Sequence, residues 1–149
     1  LIKSLILLLC TFGLLSAADF TGTWKLDAAK SKYEGMPAPK GQTVTITANG
    51  KGFDYMAMGT SSTGEAIHAM YTYVKDGEQI KTTGFPVWDA IVLKNAMENK
   101  TEIEFLRGGK SVGKGTRELA KDGKMYTVSA KVKLADGKEA NFKAVYEKQ

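Results

Sequence analysis

The stretch Met125-Tyr126-Thr127-Val128-Ser129-Ala130-Lys131-Val132-Lys133-Leu134 carries two unlike faces. Tyr126, Val128, Ala130, Val132 and Leu134 alternate with Thr127, Ser129, Lys131 and Lys133. Side chains alternate in direction along a strand, so the first set faces a core and the second faces water. Asp136-Gly137 follows, a dipeptide that supplies the left-handed residues of a tight hairpin. Beyond it Ala140, Phe142, Ala144 and Tyr146 form a second inward set. Two antiparallel strands joined by a hairpin are the unit from which the rest of the chain is read.

The same unit recurs. Asn49-Gly50, Asp76-Gly77, Gly108-Gly109 and Asp122-Gly123 punctuate alternating or β-branched stretches, and no apolar repeat at i, i+3, i+4, i+7 is long enough for a core helix. The pattern predicts strands at Gly22–Leu26, Thr43–Ala48, Phe53–Met58, Ala66–Val74, Gln79–Thr83, Ala90–Asn95, Thr101–Leu106, Ser111–Leu119, Met125–Leu134 and Ala140–Tyr146. Open edges invite aggregation and closure removes them, so the expected fold is all-β, a single antiparallel meander β-barrel of about 8–10 strands. On the first strand Phe20, Gly22, Trp24 and Leu26 make the inward set. The third, fourth and sixth strands are apolar on both faces, and one bulge would invert their sides. The segment Asp27 to Gln42, with Pro37, Pro39 and a helix-tolerant Ala28–Tyr33 piece, is the one long connection and is expected to cover a barrel mouth.

Of 149 residues, 43% are hydrophobic, enough for one core, and the formal net charge is +5. Lys3, the apolar run Leu5 to Leu15 and Ser16-Ala17-Ala18 read as a signal peptide over residues 1–18, leaving a domain at 19–149 with a charge of +4. The apolar run is too short for a bilayer core, which needs about 20 residues in a helix. The product is therefore expected to be secreted or periplasmic. The only cysteine, Cys10, lies in the leader, so neither a disulfide nor a thiolate metal site is expected in the domain. Arg107 and Arg117 are the only arginines, too few for a phosphate-reading surface, and nucleic acid is not an expected partner. The lysine-rich turns serve solubility and guard strand edges, with weak contact to an anionic membrane surface as a secondary use.

The run Asp19-Phe20-Thr21-Gly22-Thr23-Trp24-Lys25-Leu26 resembles the Gly-x-Trp first strand of the calycin superfamily, and Val145-Tyr146-Glu147-Lys148 looks like the closing strand of fatty-acid-binding proteins. Over the mature length the chain is similar to small secreted lipocalin-like proteins of bacteria. The resemblance implies a calycin barrel in which Gly22 lets the first strand bend and Trp24 plugs one end. Two departures stand out. Ala144 occupies the place of the arginine that clamps a fatty-acid carboxylate, and Asp27–Gln42 has little room for the two helices those proteins insert. Arg117 has two uses: facing inward to an anionic head group, or stacking on Trp24 to seal the barrel, as the resemblance implies. The second is expected, because an isolated buried charge is costly.

Catalytic chemistry finds little to work with. His68 is the only histidine, so no catalytic residues, no metal and no cofactor are expected; a hydrogen-bonded wall residue is the reading for His68, with an axial haem ligand as the sharper alternative. Glu102 and Glu104 share one solvated strand face, Asp89 orders its loop, and Trp88 serves as core plug or mouth residue. The expected function is binding of a lipid or other hydrophobic molecule, lined by Phe53, Tyr55, His68, Met70, Trp88, Val128, Phe142 and Tyr146, with Arg117 as the head-group candidate should it face inward. The alternative is a protein-interaction, inhibitor or self-assembling module with a filled interior, monomeric or homo-oligomeric, presenting Met56, Met58, Tyr71 and Tyr73 outward.

Overall fold

Hairpin chemistry sets the order of the sheet. The computed structural model describes residues 19–149, and the expected leader at residues 1–18 lies outside them. Eleven strands follow one another: β1 (Gly22–Leu26), β2 (Lys32–Glu34), β3 (Gly41–Ala48), β4 (Phe53–Thr60), β5 (Ala66–Tyr73), β6 (Gln79–Lys81), β7 (Ala90–Lys94), β8 (Lys100–Arg107), β9 (Lys110–Leu119), β10 (Met125–Lys133) and β11 (Glu139–Lys148). Their order in the sheet is β5-β4-β3-β1-β11-β10-β9-β8-β7-β6, every pairing antiparallel. The ends of this path meet at one bridge, where Met70 and Thr83 exchange two backbone hydrogen bonds of 3.0 Å. The sheet is an almost closed barrel, the expected architecture with one strand more than the ten read from sequence.

The extra strand is β2, inside the Asp27 to Gln42 connection and overlapping the end of its helix-tolerant Ala28–Tyr33 piece. Among the described residues there is no helix. β2 pairs with β11 through Tyr33↔Phe142, on the same edge that β1 uses at Leu26↔Tyr146. The two short strands therefore act as one long strand interrupted at residues 27–31. Ser31 satisfies the interruption: its hydroxyl donates to Asp27 O (2.7 Å) and accepts from Val145 N (2.9 Å). Polar side chains that bond nearby backbone in this way favour irregular turns over helix. Beyond β2 the chain crosses toward β3 through Met36–Pro39, the covering segment anticipated from its prolines.

One end of the barrel is closed by aromatics. Trp24 is fully buried, donates from Nε1 to Phe20 O at 2.9 Å, and meets Tyr126 edge-on at 4.7 Å. Gly22 adopts φ +130°, a region side chains avoid, and a Cβ there would stand 3.1 Å from Lys148 Cε. That conformation lets β1 turn Phe20 under the barrel while Trp24 stays inside. Lys148 Nζ covers the outer side of the indole at 5.5 Å. Truncating a buried aromatic of this kind costs about 3–5 kcal/mol. Trp24→Ala is thus expected to lower the free energy of denaturant unfolding by that amount, whereas Lys148→Ala, which removes an exposed cation, shifts it by less than about 1 kcal/mol.

Strand faces follow from register. On β10 and β11 the inward sets are those read from the alternation, Tyr126, Val128, Ala130, Val132, Leu134, Ala140, Phe142, Ala144 and Tyr146. On β4 the odd positions Phe53, Tyr55 and Ala57 face in, and on β5 so do Ile67, Ala69, Tyr71 and Tyr73. The β4–β5 register pairs Phe53 with Tyr73 and Tyr55 with Tyr71, odd with odd, so once Phe53 faces in, Tyr73 must as well. The expected inward placement of His68 and Met70 and the outward placement of Tyr71 and Tyr73 are reversed by this register.

Candidate functional site

Because the chain runs up and down, the turns fall alternately at two ends. At one end lie Phe20, Trp24 and the β3–β4, β5–β6, β7–β8 and β9–β10 turns, which form the closed floor. At the other lie the β2–β3 segment, the Ser61–Glu65 turn, the Gly84–Asp89 loop and the β10–β11 turn. Between them is a cavity of about 430 Å³. The interior is therefore not filled, which removes the premise of the filled-barrel alternative.

The cavity wall is aromatic. Tyr55 stacks on Tyr71 at 4.6 Å, and Tyr33 stacks on Phe142 at 5.9 Å. Near the mouth Phe85 stacks on Trp88 at 5.2 Å, and Trp88 tilts onto Phe105 at 4.4 Å. Trp88 is half-buried and lines the cavity, so of its two expected uses it takes the mouth position. Two arrangements hold its loop. Gly84 has φ +78° and passes so close to β5 that a Cβ would lie 1.9 Å from His68 O. Arg107 Nη1 donates to Val87 O at 2.9 Å, and Asp89 Oδ2 accepts from Gly108 N at 3.0 Å, tying the loop to the β8–β9 hairpin.

Arg117 lies at the floor, 3% exposed. Its guanidinium sits 4.0 Å over the Phe20 ring and 5.3 Å from that of Phe53. The expected partner, Trp24, is taken by Lys148 instead, because β9 reaches the floor beside Phe20 where the bent N-terminal end of β1 has turned inward. Arg117 Nη2 donates to Ala96 O (3.2 Å) and Thr101 Oγ1 (3.3 Å). Among the described residues no carboxylate pairs with it. Arg117 Nε and the hydroxyl of Tyr126 are buried without a hydrogen-bond partner, and both residues line the cavity. Buried polar groups are nearly always satisfied, so two orphaned donors on residues lining one cavity call for an acceptor.

Of the residues expected to line the site, Tyr55, Trp88, Arg117, Val128, Phe142 and Tyr146 do so. Phe53 does not; it is buried in the core, stacked on Tyr73 at 4.8 Å. His68 and Met70 lie on the outer face of β5 and are exposed. Sequence reasoning missed Tyr71, Tyr33 and Phe85 as wall residues. Register from the β4–β5 turn would have placed Tyr71, whereas Tyr33 depends on β2, which has no periodic signal. Among the described residues no group of three or more His, Cys, Asp or Glu is placed to hold a metal.

The tyrosines are held neutral. Burial pushes the phenols of Tyr55 and Tyr126 well above their ordinary value near 10, partly offset by the Arg117 charge, and it raises Tyr71 and Tyr146 in the same direction. Burial takes Tyr33 to about 12, and burial with the Asp76 carboxylate takes Tyr73 to about 12. A group whose folded pKa is raised stabilises the fold fully below its unfolded value and loses that contribution as pH climbs through the folded value. All six tyrosines of the chain belong to this class. A spectrophotometric phenolate titration is expected to show no ionisation near pH 10 in the folded protein, then a cooperative rise coincident with loss of β-sheet circular dichroism toward and above pH 12. Reversible ionisation of several tyrosines near 10 with the sheet intact would contradict the burial described.

Comparison with solved structures places this architecture. The zebrafish ileal bile acid-binding protein in complex with cholic acid superposes with a TM-score of 0.51 at 16% identity, over 87% of this chain and 98% of that one. No protein-family model matches the chain, and no curated protein sequence does. The two chains share the fold, a nearly closed antiparallel β-barrel.

Proposed function

We propose that this barrel holds a small amphiphile with an apolar body and one acidic head, bound head-first against Arg117 and Tyr126. The observation that carries the reading is the pair of buried, unpartnered polar groups on residues at the floor of a mainly apolar cavity. A carboxylate or similar oxyanion accepts from Arg117 Nε and from the Tyr126 hydroxyl at once, and hydrogen bonds to a charged partner are the strong kind. The body of the ligand then lies between Tyr55, Tyr71, Phe142 and Val128, where burial contributes about 25 cal/mol per Å² of apolar area removed from water. Trp88 and the Met36–Pro39 segment cover its tail. The cavity lies within the range of small-molecule sites, about 300–1,000 Å³. The cholic acid bound by the zebrafish protein supports an acid as the occupant of a barrel of this fold.

In this reading the protein acts by enclosure and not by catalysis, and monovalent binding needs neither cofactor nor metal. Lys3, the Leu5 to Leu15 run and Ser16-Ala17-Ala18 support export, so the ligand is met outside the cytoplasm.

The test compares an anionic single-chain amphiphile with the neutral alcohol of the same chain. Native mass spectrometry is expected to show one acid per protein, displaced on denaturation. Arg117→Met, which keeps the stem and deletes the charge, is expected to weaken the acid by about tenfold or more and the alcohol little, as a charge-assisted bond is worth about 1.5–3 kcal/mol. Tyr126→Phe follows the same direction with a smaller loss. Unfolding of ligand-free Arg117→Met is expected to need as much denaturant as the parent or more, since an unpaired buried charge is removed. Equal weakening of acid and alcohol, or no uptake of either, would defeat the proposal.

A further inference from the structure

The outer face of β4 and β5 carries a feature the cavity does not use. Met56-Ala57-Met58 lies on β4 and His68-Ala69-Met70 on β5. Ala57 and Ala69 point into the core, at 0% and 1% exposure, so the flanking residues of both triplets point outward. The register sets Met58 opposite His68 and Met56 opposite Met70. Three thioethers and the chain's only imidazole thus stand at the corners of one rectangle. Its short sides, between directly opposed residues, are about 5 Å at Cβ, and its long sides, between residues two apart on a strand, are about 7 Å.

Apolar side chains of this size are ordinarily covered, yet Met58 is 50% and Met70 43% exposed. Half of the six methionines in the chain meet here. The adjoining register positions are Thr43, Thr45 and Thr83, which bring no charge to the face. The next outward residue along β4, Asp54, stands outside the four corners and accepts at Oδ1 from the hydroxyl of Thr72 at 2.7 Å and the amide of Asn49 at 3.2 Å. The four corners of the rectangle themselves are soft donors, three thioethers and an imidazole. Methionine's three rotatable bonds let the sulfurs lean over its centre, while the paired strands fix where each arm starts.

We propose that Met56, Met58, Met70 and His68 form a surface site for a soft monovalent d¹⁰ cation, Cu(I) or its redox-stable surrogate Ag(I). Thioethers select Cu(I) over the harder divalent metals, which favour imidazole, carboxylate and carbonyl sets. The sole cysteine lies outside the described residues, so no thiolate within them competes for the ion. The site is separate from the ligand cavity: its side chains occupy the opposite face of the same two strands.

The test is a titration of the purified protein with Ag(I) nitrate, followed in protein carrying ¹³C-labelled methionine methyls and ¹⁵N-labelled histidine. One equivalent is expected to shift the methyls of Met56, Met58 and Met70 and the ring nitrogens of His68, while those of Met36, Met97 and Met125 stay in place. Met97, itself 47% exposed, is the internal control for binding by any accessible thioether. Competition against a Cu(I) chelator under reducing, oxygen-free conditions is expected to show Met58→Leu and His68→Gln each weakening the site by about tenfold or more, and Met97→Leu leaving it unchanged. Met58 and His68 are exposed, so neither substitution is expected to alter the circular dichroism. Equal shifts of all six methyls, retention of affinity in the two site variants, or tighter binding of Zn(II) than of Ag(I) would overturn the proposal.

Discussion

An unpaired guanidinium at the closed end of a barrel is expensive to keep, and the surroundings of Arg117 are arranged around that cost. Removing an arginine from water without a carboxylate leaves several kilocalories to be offset. Phe20 offers a ring face at 4.0 Å, and Ala96 O and Thr101 Oγ1 accept from one terminal nitrogen. Phe20 reaches that position because Gly22 takes a conformation that few other residues tolerate. Trp24 and Tyr126 then close the floor beneath. What is left unsatisfied, Nε of Arg117 and the Tyr126 hydroxyl, belongs to two residues that line the cavity. In the proposed reading the cost of the charge and the recognition of an acid are thus one feature of the molecule.

The walls complement that floor by contributing area without charge. Every tyrosine along them is held protonated by burial, so the positive end of the cavity meets no phenolate. Stacked pairs such as Tyr55 with Tyr71 and Phe85 with Trp88 keep the rings ordered while the space between them stays open. The mouth is built from segments between the strands. The Met36–Pro39 crossing and the Gly84–Asp89 loop cover it, and Arg107 anchors the latter through Val87 O. A rigid floor with a loop-built mouth is the arrangement expected where function is carried on a stable scaffold.

Much of the barrel was legible because β10 and most of β11 have one wet face and one dry face, so alternation assigns the sides; Val145, outward by parity yet 4% exposed, is the exception. β4 and β5 have apolar residues on both faces: Met56 and Met58 alternate with Tyr55 and Ala57, and His68 and Met70 with Ala69 and Tyr71. Hydrophobicity has no preference between such faces, and only pairing with a neighbour of known side decides. Val44 and Ile46 are buried and pair with Ala57 and Tyr55, which settles β4, and β4 then settles β5. β2 was invisible for a different reason. Its three residues, Lys32–Glu34, are a strand only because β11 extends past β1 and offers an edge to pair with. The identity of Arg117 as a floor residue could be read from parity, but its ring partner could not, since that depends on how far β1 bends at Gly22.

The most direct measurement of the central claim is the Nε–Hε resonance of Arg117 by nitrogen–proton correlation spectroscopy. With Arg107 the only other arginine, the region holds two signals, and Arg117→Met identifies one of them. Addition of an anionic single-chain amphiphile should move the Arg117 signal in proportion to occupancy and leave Arg107 in place, while the matching neutral alcohol should leave both unmoved. An Arg117 signal indifferent to the acid, or equally displaced by acid and alcohol, would mean that the buried guanidinium serves only the floor of the barrel and recognises no ligand.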